Sequence, residues 1–200
     1  MKKIFLISLS LAIAFAQLTN EETEIVKKIA VQAHDVYAKT LRKAMKSKLE
    51  KEGAAKAIEY CYNNANFLTM TTSSKLSRKL KVKIKLKRIS LKNRNPYNYP
   101  NMNDIKIIKA MEEKKPSSEE LIIKDDKKAV HSYQALYVKK ICLKCHGSNL
   151  GEDVKKALKK YYGNDKAVNY KEGDFRGAIV VTIDKKSLKK HIENKILNNE

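Results

Sequence analysis

The chain has 200 residues, 42% of them hydrophobic, which suits one domain with a core of its own. Its formal net charge is +21, and only five of its 43 basic residues are arginine. A charge made mainly of dispersed lysines is typical of a solvated surface, and it also suits attraction to an acidic redox partner or an anionic membrane surface. Nucleic-acid binding is disfavoured, because the chain lacks an arginine-aromatic motif and begins with an export signal.

The first residues predict that export signal. Met1-Lys2-Lys3 is a short basic segment, and the apolar run from Ile4 to Ala14 is too short to cross a membrane comfortably. Ala14-Phe15-Ala16 fits the small-x-small cleavage rule, so residues 1–16 are predicted to be a cleaved signal peptide and the protein to be periplasmic. The alternative is an uncleaved amphipathic or anchoring helix, and membrane association stays open as a further partner interaction.

Two helices are predicted after the signal. Residues 17–52 form an N-terminal amphipathic helix, with Asn20 as its cap, acidic residues in its first turn and Gly53 at its end. A second helix runs from Ala54 to Phe67. Its apolar face carries Cys61, at helical spacing from small and apolar neighbours.

The rest of the chain predicts short strands alternating with helices. The strand after the second helix loses its alternation at Lys87-Arg88, which indicates a bulge. Arg94 to Pro100 is an extended loop, because each proline disfavours helix in the residue before it. A polar connector is predicted over Thr71–Ser77. The predicted strands are Val82–Leu91, Leu121–Lys124, Ala129–Lys140 and Arg176–Asp184. The predicted helices run from Asn101 or Asn103 to Met111, over Glu152–Tyr162 and over the basic residues 185–200. Together they predict an α+β domain, with helices around a small antiparallel sheet.

Cys142, Cys145 and His146 form a Cys-x-x-Cys-His motif, the attachment site of a c-type haem. Two thiols at this spacing add across the two vinyl groups of haem, and the histidine beside the second thiol supplies an axial nitrogen to the iron. One motif predicts one covalently attached haem. A zinc site would usually need a second pair of ligands, and a thioredoxin-like site would not need the histidine, so haem is favoured over both.

Cys61 is the cysteine that the motif leaves over. In an oxidising compartment such a thiol is either buried and inert or used chemically, and one use is to bind the iron opposite His146. The other candidates for that sixth position are His34, His131, His191, Met45, Met70, Met102 and Met111. Among these, His34 is expected at the surface and Met45 in the core.

Several blocks of the sequence resemble the Tll0287-like haem-binding family and occur in its order. They are Ala57–Cys61, Arg88–Pro100, Cys142–Gly147 and Glu172–Val181. The resemblance implies a PAS-like fold over residues 53–184 that carries one c-type haem, with the uncommon axial pair His146 and Cys61. The chain departs from the family pattern at Ile89, Tyr162-Gly163 and Asn169. None of these departures removes a ligand.

The resemblance also implies redox or gas sensing. Thiolate ligation stabilises ferric iron, so reduction would weaken the iron–sulfur bond, release Cys61 and open a site for CO, NO or O2. The alternative is a periplasmic electron-transfer cytochrome whose lysines dock an acidic partner. No distal His, Arg and Asn set is recognisable, so an enzyme is not predicted. In either case we expect a separate signalling or redox partner.

Arg88 and Arg94 are further candidate site residues, as ligands of the haem propionates. A guanidinium group presents a planar fork of donors that matches a carboxylate. For Arg94 the alternative is that Arg94-Asn95-Pro96 only shapes a turn. Sequence reasoning leaves these two roles open.

Overall fold

The structure is a computed structural model that describes residues 18–197. Its helices are α1 (Asn20–Leu80), α2 (Met102–Lys114), α3 (Leu143–His146), α4 (Glu152–Tyr161) and α5 (Lys185–Leu197). Its strands are β1 (Ile84–Ile89), β2 (Leu121–Asp125), β3 (Ala129–Tyr137) and β4 (Phe175–Asp184). The predicted signal peptide lies outside the described residues. Between residues 18 and 197 no helix is both long and apolar enough to cross a membrane.

The four strands form one antiparallel sheet in the order β1-β4-β3-β2. Both of its faces are covered, because α1 packs on one and α2 on the other. Val130 and Val181 belong to the core on the α1 side, while Tyr133 and Val180 belong to the core on the α2 side. The predicted α+β class, an antiparallel sheet with flanking helices behind a long N-terminal helix, is confirmed.

Helix α1 is a hairpin with two arms, residues 20–52 and 54–80. Gly53 breaks the helix at φ 83° and ψ 175°, a backbone conformation that residues with a Cβ rarely adopt. The hydroxyl oxygens of Tyr37 and Thr69 lie 2.8 Å apart across the two arms. A straight helix would separate residues so far apart in sequence by about 48 Å. The helix break predicted at Gly53 is therefore present.

Two other predictions about α1 are wrong. Its cap is Thr19 rather than Asn20, because Thr19 Oγ1 accepts the N–H of Glu22 at 3.1 Å and the Glu22 carboxylate accepts the N–H of Thr19 at 2.8 Å. Residues 71–77 are helical rather than a connector. Their hydroxyl groups hydrogen-bond to helix carbonyls and to the backbone of β1, which makes this polar stretch compatible with a helix packed along an edge strand.

Strand β1 pairs with β4 in a continuous register, so the bulge predicted at Lys87-Arg88 is wrong. The apolar residues of β1 change from one face of the sheet to the other at this point without a bulge. Leu86 packs on the α1 side of the sheet and Ile89 on the α2 side, and both sides are buried. Arg88 consequently lies on the same side as Leu86. The register shifts instead where β3 pairs with β4, because Leu136 faces Gly177 while Tyr137 faces Phe175, so that Arg176 is an extra residue in β4.

Two smaller details differ from the prediction, and one predicted cap is confirmed. Strand β3 ends at Tyr137 instead of Lys140, and a 3₁₀ turn over Lys140–Cys142 follows it. The predicted extended loop after β1 contains a 3₁₀ turn over Pro96–Asn98. Asn101 caps α2 by accepting a backbone N–H on its side-chain oxygen at 2.8 Å, as one of the two predicted caps.

His34 lies in the core between α1 and the sheet, so the expectation that it is at the surface is wrong. It shares a helical face with the buried residues Ala30 and Tyr37. Its Nε2 lies 3.1 Å from Ser132 Oγ, and the described residues offer Nδ1 no hydrogen bond. Burial lowers the pKa of His34 from 6.5 to about 4, so the ring is neutral at pH 7.

We expect this histidine to reduce folding stability as the pH falls from 7 to 4. Unfolded His34 takes up a proton near pH 6.5 and folded His34 only near pH 4, so protons favour the unfolded chain by up to about 3 kcal/mol in this window. Urea denaturation of the wild type and of His34→Gln at both pH values measures the effect. The wild type should lose about 3 kcal/mol more than the variant. Equal losses would contradict the prediction.

Candidate functional site

One cavity lies between the second arm of α1, the end of β1, the segment after it and α3. Its volume is about 90 Å³. Cys61, Arg88, Arg94, Cys145 and His146 line it, which brings together five of the six site residues predicted from sequence. The sixth, the other cysteine of the motif, lies at the start of α3.

The two motif cysteines have different surroundings. Cys145 is buried and faces the cavity, and burial raises the pKa of its thiol to about 11. Cys142 packs beside Val138 and Tyr170, and its Sγ accepts the backbone N–H of Lys139 at 3.4 Å. The one-turn helix α3 begins directly after Cys142, carries Cys145 and has His146 at its last position.

His146 has a defined tautomer. Its Nδ1 lies 2.6 Å from the carbonyl oxygen of Ala167. Because a carbonyl oxygen only accepts, Nδ1 carries the proton and Nε2 keeps a free lone pair. Burial and the positive charges of Arg94 and Arg176 hold the pKa of His146 well below its usual range. The imidazole is therefore neutral, in the form that binds a metal ion through Nε2.

Cys61 approaches the cavity from the second arm of α1. Burial raises the pKa of its thiol, and the positive charges of Arg88 and Arg94 only partly oppose this effect. Without a metal ion the thiol is accordingly protonated at pH 7. The turn at Gly53 explains how the fold brings this residue, which is remote in sequence from the motif, to the same cavity as His146.

Arg94 joins the motif to the loop that orients the histidine. Its Nε donates to Asp165 Oδ2 at 3.0 Å, and its Nη2 donates to the carbonyl oxygens of Cys145 at 2.6 Å and Ala167 at 3.2 Å. Ala167 is also the residue that accepts from His146. These contacts identify Arg94 as a positioning residue, and they go beyond the turn-shaping role considered from sequence.

The cavity carries an excess of positive charge. Arg88, Arg94 and Arg176 line it, and its lining includes no carboxylate. Arg176 donates to Ser90 Oγ at 2.9 Å and to the carbonyl of Lys92 at 3.1 Å, whereas Arg88 Nε is buried without a hydrogen bond among the described residues. Arg176 was missed as a candidate. The sequence feature that could have identified Arg176 is the scarcity of arginine, because three of the chain's five arginines line this cavity.

The comparisons with known proteins agree with this architecture. The model of the Tll0287-like family matches residues 14–184, which is most of the chain. The chain belongs to the Tll0287-like family. Among solved structures, a protein described as the cyanobacterial heme-protein Tll0287 has the same fold, with a TM-score of 0.55 and 19% sequence identity over 84% of this chain and 98% of that one. No curated protein matches the chain.

This member of the Tll0287-like family places the rival candidates for the sixth position mostly away from the cavity. Met45 is the one that lines it. His131 lies beside Asp126 and Met111 is buried in the core on the α2 side. Met70 and Met102 are exposed on the surface. His34 is enclosed by α1 and the sheet, and His191 lies on α5.

Proposed function

We propose that this protein holds one haem c, attached through the thiols of Cys142 and Cys145, with His146 and Cys61 as axial ligands of the iron. The observation that carries the proposal is the hydrogen bond from His146 Nδ1 to Ala167, which leaves Nε2 free to bind iron on the cavity that Cys61 also lines. The family match and the haem protein of similar fold support the same assignment.

The charges of the cavity suit haem, which carries two propionate groups. Buried guanidinium groups need anionic partners; Arg94 has one in Asp165, whereas the described residues supply none for Arg88 and Arg176. Arg88 and Arg176 are the best candidates to bind propionates. Arg88 Nε has no hydrogen-bond partner among the described residues, whereas Arg94 already donates from Nε and Nη2 to protein oxygens. Sites for ligands of this size usually have volumes of about 300–1,000 Å³, so we expect the walls to separate on binding.

We propose a redox or gas sensor as the role of the bound haem, which supplies a one-electron centre. Cys61 would bind the ferric state as a thiolate, with Arg88 and Arg94 near it to offset the charge. Met45 lines the same cavity and could replace the thiolate after reduction, because a thioether favours ferrous iron. A thioether beside the thiol favours a sensor, which exchanges an axial ligand on reduction, over an electron-transfer cytochrome, which keeps both ligands.

Mass spectrometry tests the attachment. The exported and denatured protein should retain one haem, because thioether bonds survive denaturation. The Cys142→Ser/Cys145→Ser variant should retain none and serves as the matched control. If haem separates from the wild type in acidified acetone, the proposal of a c-type haem fails.

We also propose export to the periplasm and cleavage after Ala16. The basic segment at Met1-Lys2-Lys3 and the Ala14-Phe15-Ala16 site support this proposal. The intact mass of the mature protein should correspond to a chain that begins at Gln17. Ala16→Leu should retard processing, because a large side chain does not fit the cleavage rule. A wild-type mature protein that still contains Met1 would indicate an anchored form.

A further inference from the structure

An open groove adjoins the cavity on the outside of the molecule, and its volume is about 1320 Å³. Half of the ten tyrosines of the chain line it. They are Tyr62, Tyr97, Tyr99, Tyr161 and Tyr162. Three of them are well exposed, Tyr97 at 77%, Tyr62 at 51% and Tyr99 at 48%. Such a concentration of exposed aromatic side chains on one surface indicates a binding site.

The lining of this groove has little net charge, although the protein is strongly basic. Its charged residues are Arg94, Asp165 and Lys166, and the first two neutralise each other in an ion pair of 2.9 Å. Two lysines belong to this surface. Lys166 is part of the lining, and the Lys160 ammonium lies 4.9 Å from the centre of the Tyr161 ring. A surface rich in tyrosine and poor in charged residues is the usual composition of the buried part of a protein–protein interface.

Packed aromatic rings connect the groove with the cavity. Tyr162 lines both. The ring centre of Tyr62 lies 5.4 Å from that of Tyr162 and 5.3 Å from that of Tyr161. A partner seated in the groove would therefore be separated from the cavity by tyrosine rings packed in tilted and edge-to-face contact.

We propose that this groove docks an acidic electron-transfer protein, one whose contact surface has an apolar centre and a rim of carboxylates. The inference rests on the proposed function, because the partner exchanges electrons with the haem. In each encounter one electron leaves the reduced partner and converts ferric to ferrous iron, and no covalent bond forms or breaks. The positive charges of Lys160 and Lys166 favour this partner, since they attract its carboxylates during encounter and fix its orientation.

Stopped-flow reduction of the ferric holoprotein tests the location. The probe is a reduced plant-type [2Fe–2S] ferredoxin, an acidic protein of low potential. The groove variant is Lys160→Glu/Lys166→Glu. The control is Lys186→Glu/Lys190→Glu, with the same change of charge on α5, which follows the end of β4 farthest from the groove. At low salt the groove variant should react at least ~10-fold more slowly than wild type and the control less than ~3-fold more slowly, with both differences lost at high salt.

Equal slowing in the two charge variants would mean that the whole basic surface attracts the probe, and it would overturn the proposal. Unchanged rates in the groove variant would also overturn it. Tyr97→Ala should slow the reaction at every salt concentration, because it removes contact area and no charge. If instead the protein forms dimers that Tyr97→Ala abolishes, the groove binds a second copy of the chain and the proposal is wrong.

Dithionite separates this test from the proposed function. Every variant should carry covalent haem and be reduced by dithionite at the wild-type rate, because this small reagent needs no docking surface. A wild-type protein without haem would defeat the proposed function itself. Normal dithionite reduction together with insensitivity to the groove charges would defeat only the docking site.

Discussion

Replacing Cys61 by alanine should convert the ferric iron of the holoprotein from a low-spin, thiolate-bound state to a high-spin state or to ligation by another side chain. The haem should stay attached, because Cys142 and Cys145 are untouched. The reduction potential should rise by about 0.1 V or more, because thiolate stabilises ferric iron and axial ligands tune haem potentials over about 0.8 V. Absorbance and EPR spectra of both oxidation states, with a potentiometric titration, measure these changes.

Met45→Leu is the matched control for this substitution. It changes a side chain in the same cavity with little change of volume. Its ferric spectrum should be that of the wild type, and its ferrous spectrum should differ only if Met45 replaces the thiolate on reduction. Unchanged ferric spectra and potential in Cys61→Ala would mean that the thiol only packs in the core. If the wild type keeps both axial ligands when it is reduced, that result would favour an electron-transfer cytochrome over a sensor.

Asp165→Asn should destabilise the fold by about 3–5 kcal/mol, because it leaves the buried Arg94 guanidinium without a counter-charge. The two side chains are only 11% and 7% exposed and lie 2.9 Å apart. The variant should also disturb the iron spectra, since Arg94 donates to the carbonyl of Cys145, the chain neighbour of His146, and to the Ala167 carbonyl that accepts from His146. Urea denaturation and the ferric spectrum report these two effects.

Glu52→Gln is the control for this ion pair. The Lys48–Glu52 pair is as short, at 2.6 Å, but both side chains are exposed to solvent. Its loss should cost less than about 1 kcal/mol and leave the iron spectra unchanged. The double variant Arg94→Met/Asp165→Leu should recover part of the stability without restoring the orientation of His146. Similar small losses for Asp165→Asn and Glu52→Gln would show that burial adds nothing to the pair.

Sequence reasoning determined the elements whose signal is local. The helix break at Gly53 depends on the conformational freedom of one residue, and the antiparallel sheet depends on alternation within single strands. The motif of Cys142, Cys145 and His146 is likewise readable from spacing alone. Local sequence patterns gave wrong predictions where contacts with a neighbouring element stabilise a different secondary structure. Residues 71–77 are polar but helical, because their hydroxyl groups bond to the helix and to β1.

The resemblance to the family already implied that Cys61 and His146 share one site, but only the tertiary structure decided how the distant residues meet and that Arg176 joins them. The α1 hairpin and the sheet bring Cys61, Arg88 and Arg176 to the cavity of His146, across separations for which the sequence contains no periodic signal. The tautomer of His146 depends on Ala167, a residue without a functional side chain, because the acceptor is its backbone carbonyl. The burial of His34 and the continuous pairing of β1 could not be predicted from the sequence for the same reason. Both depend on which faces of the sheet other elements cover, and that is a property of packing rather than of local sequence.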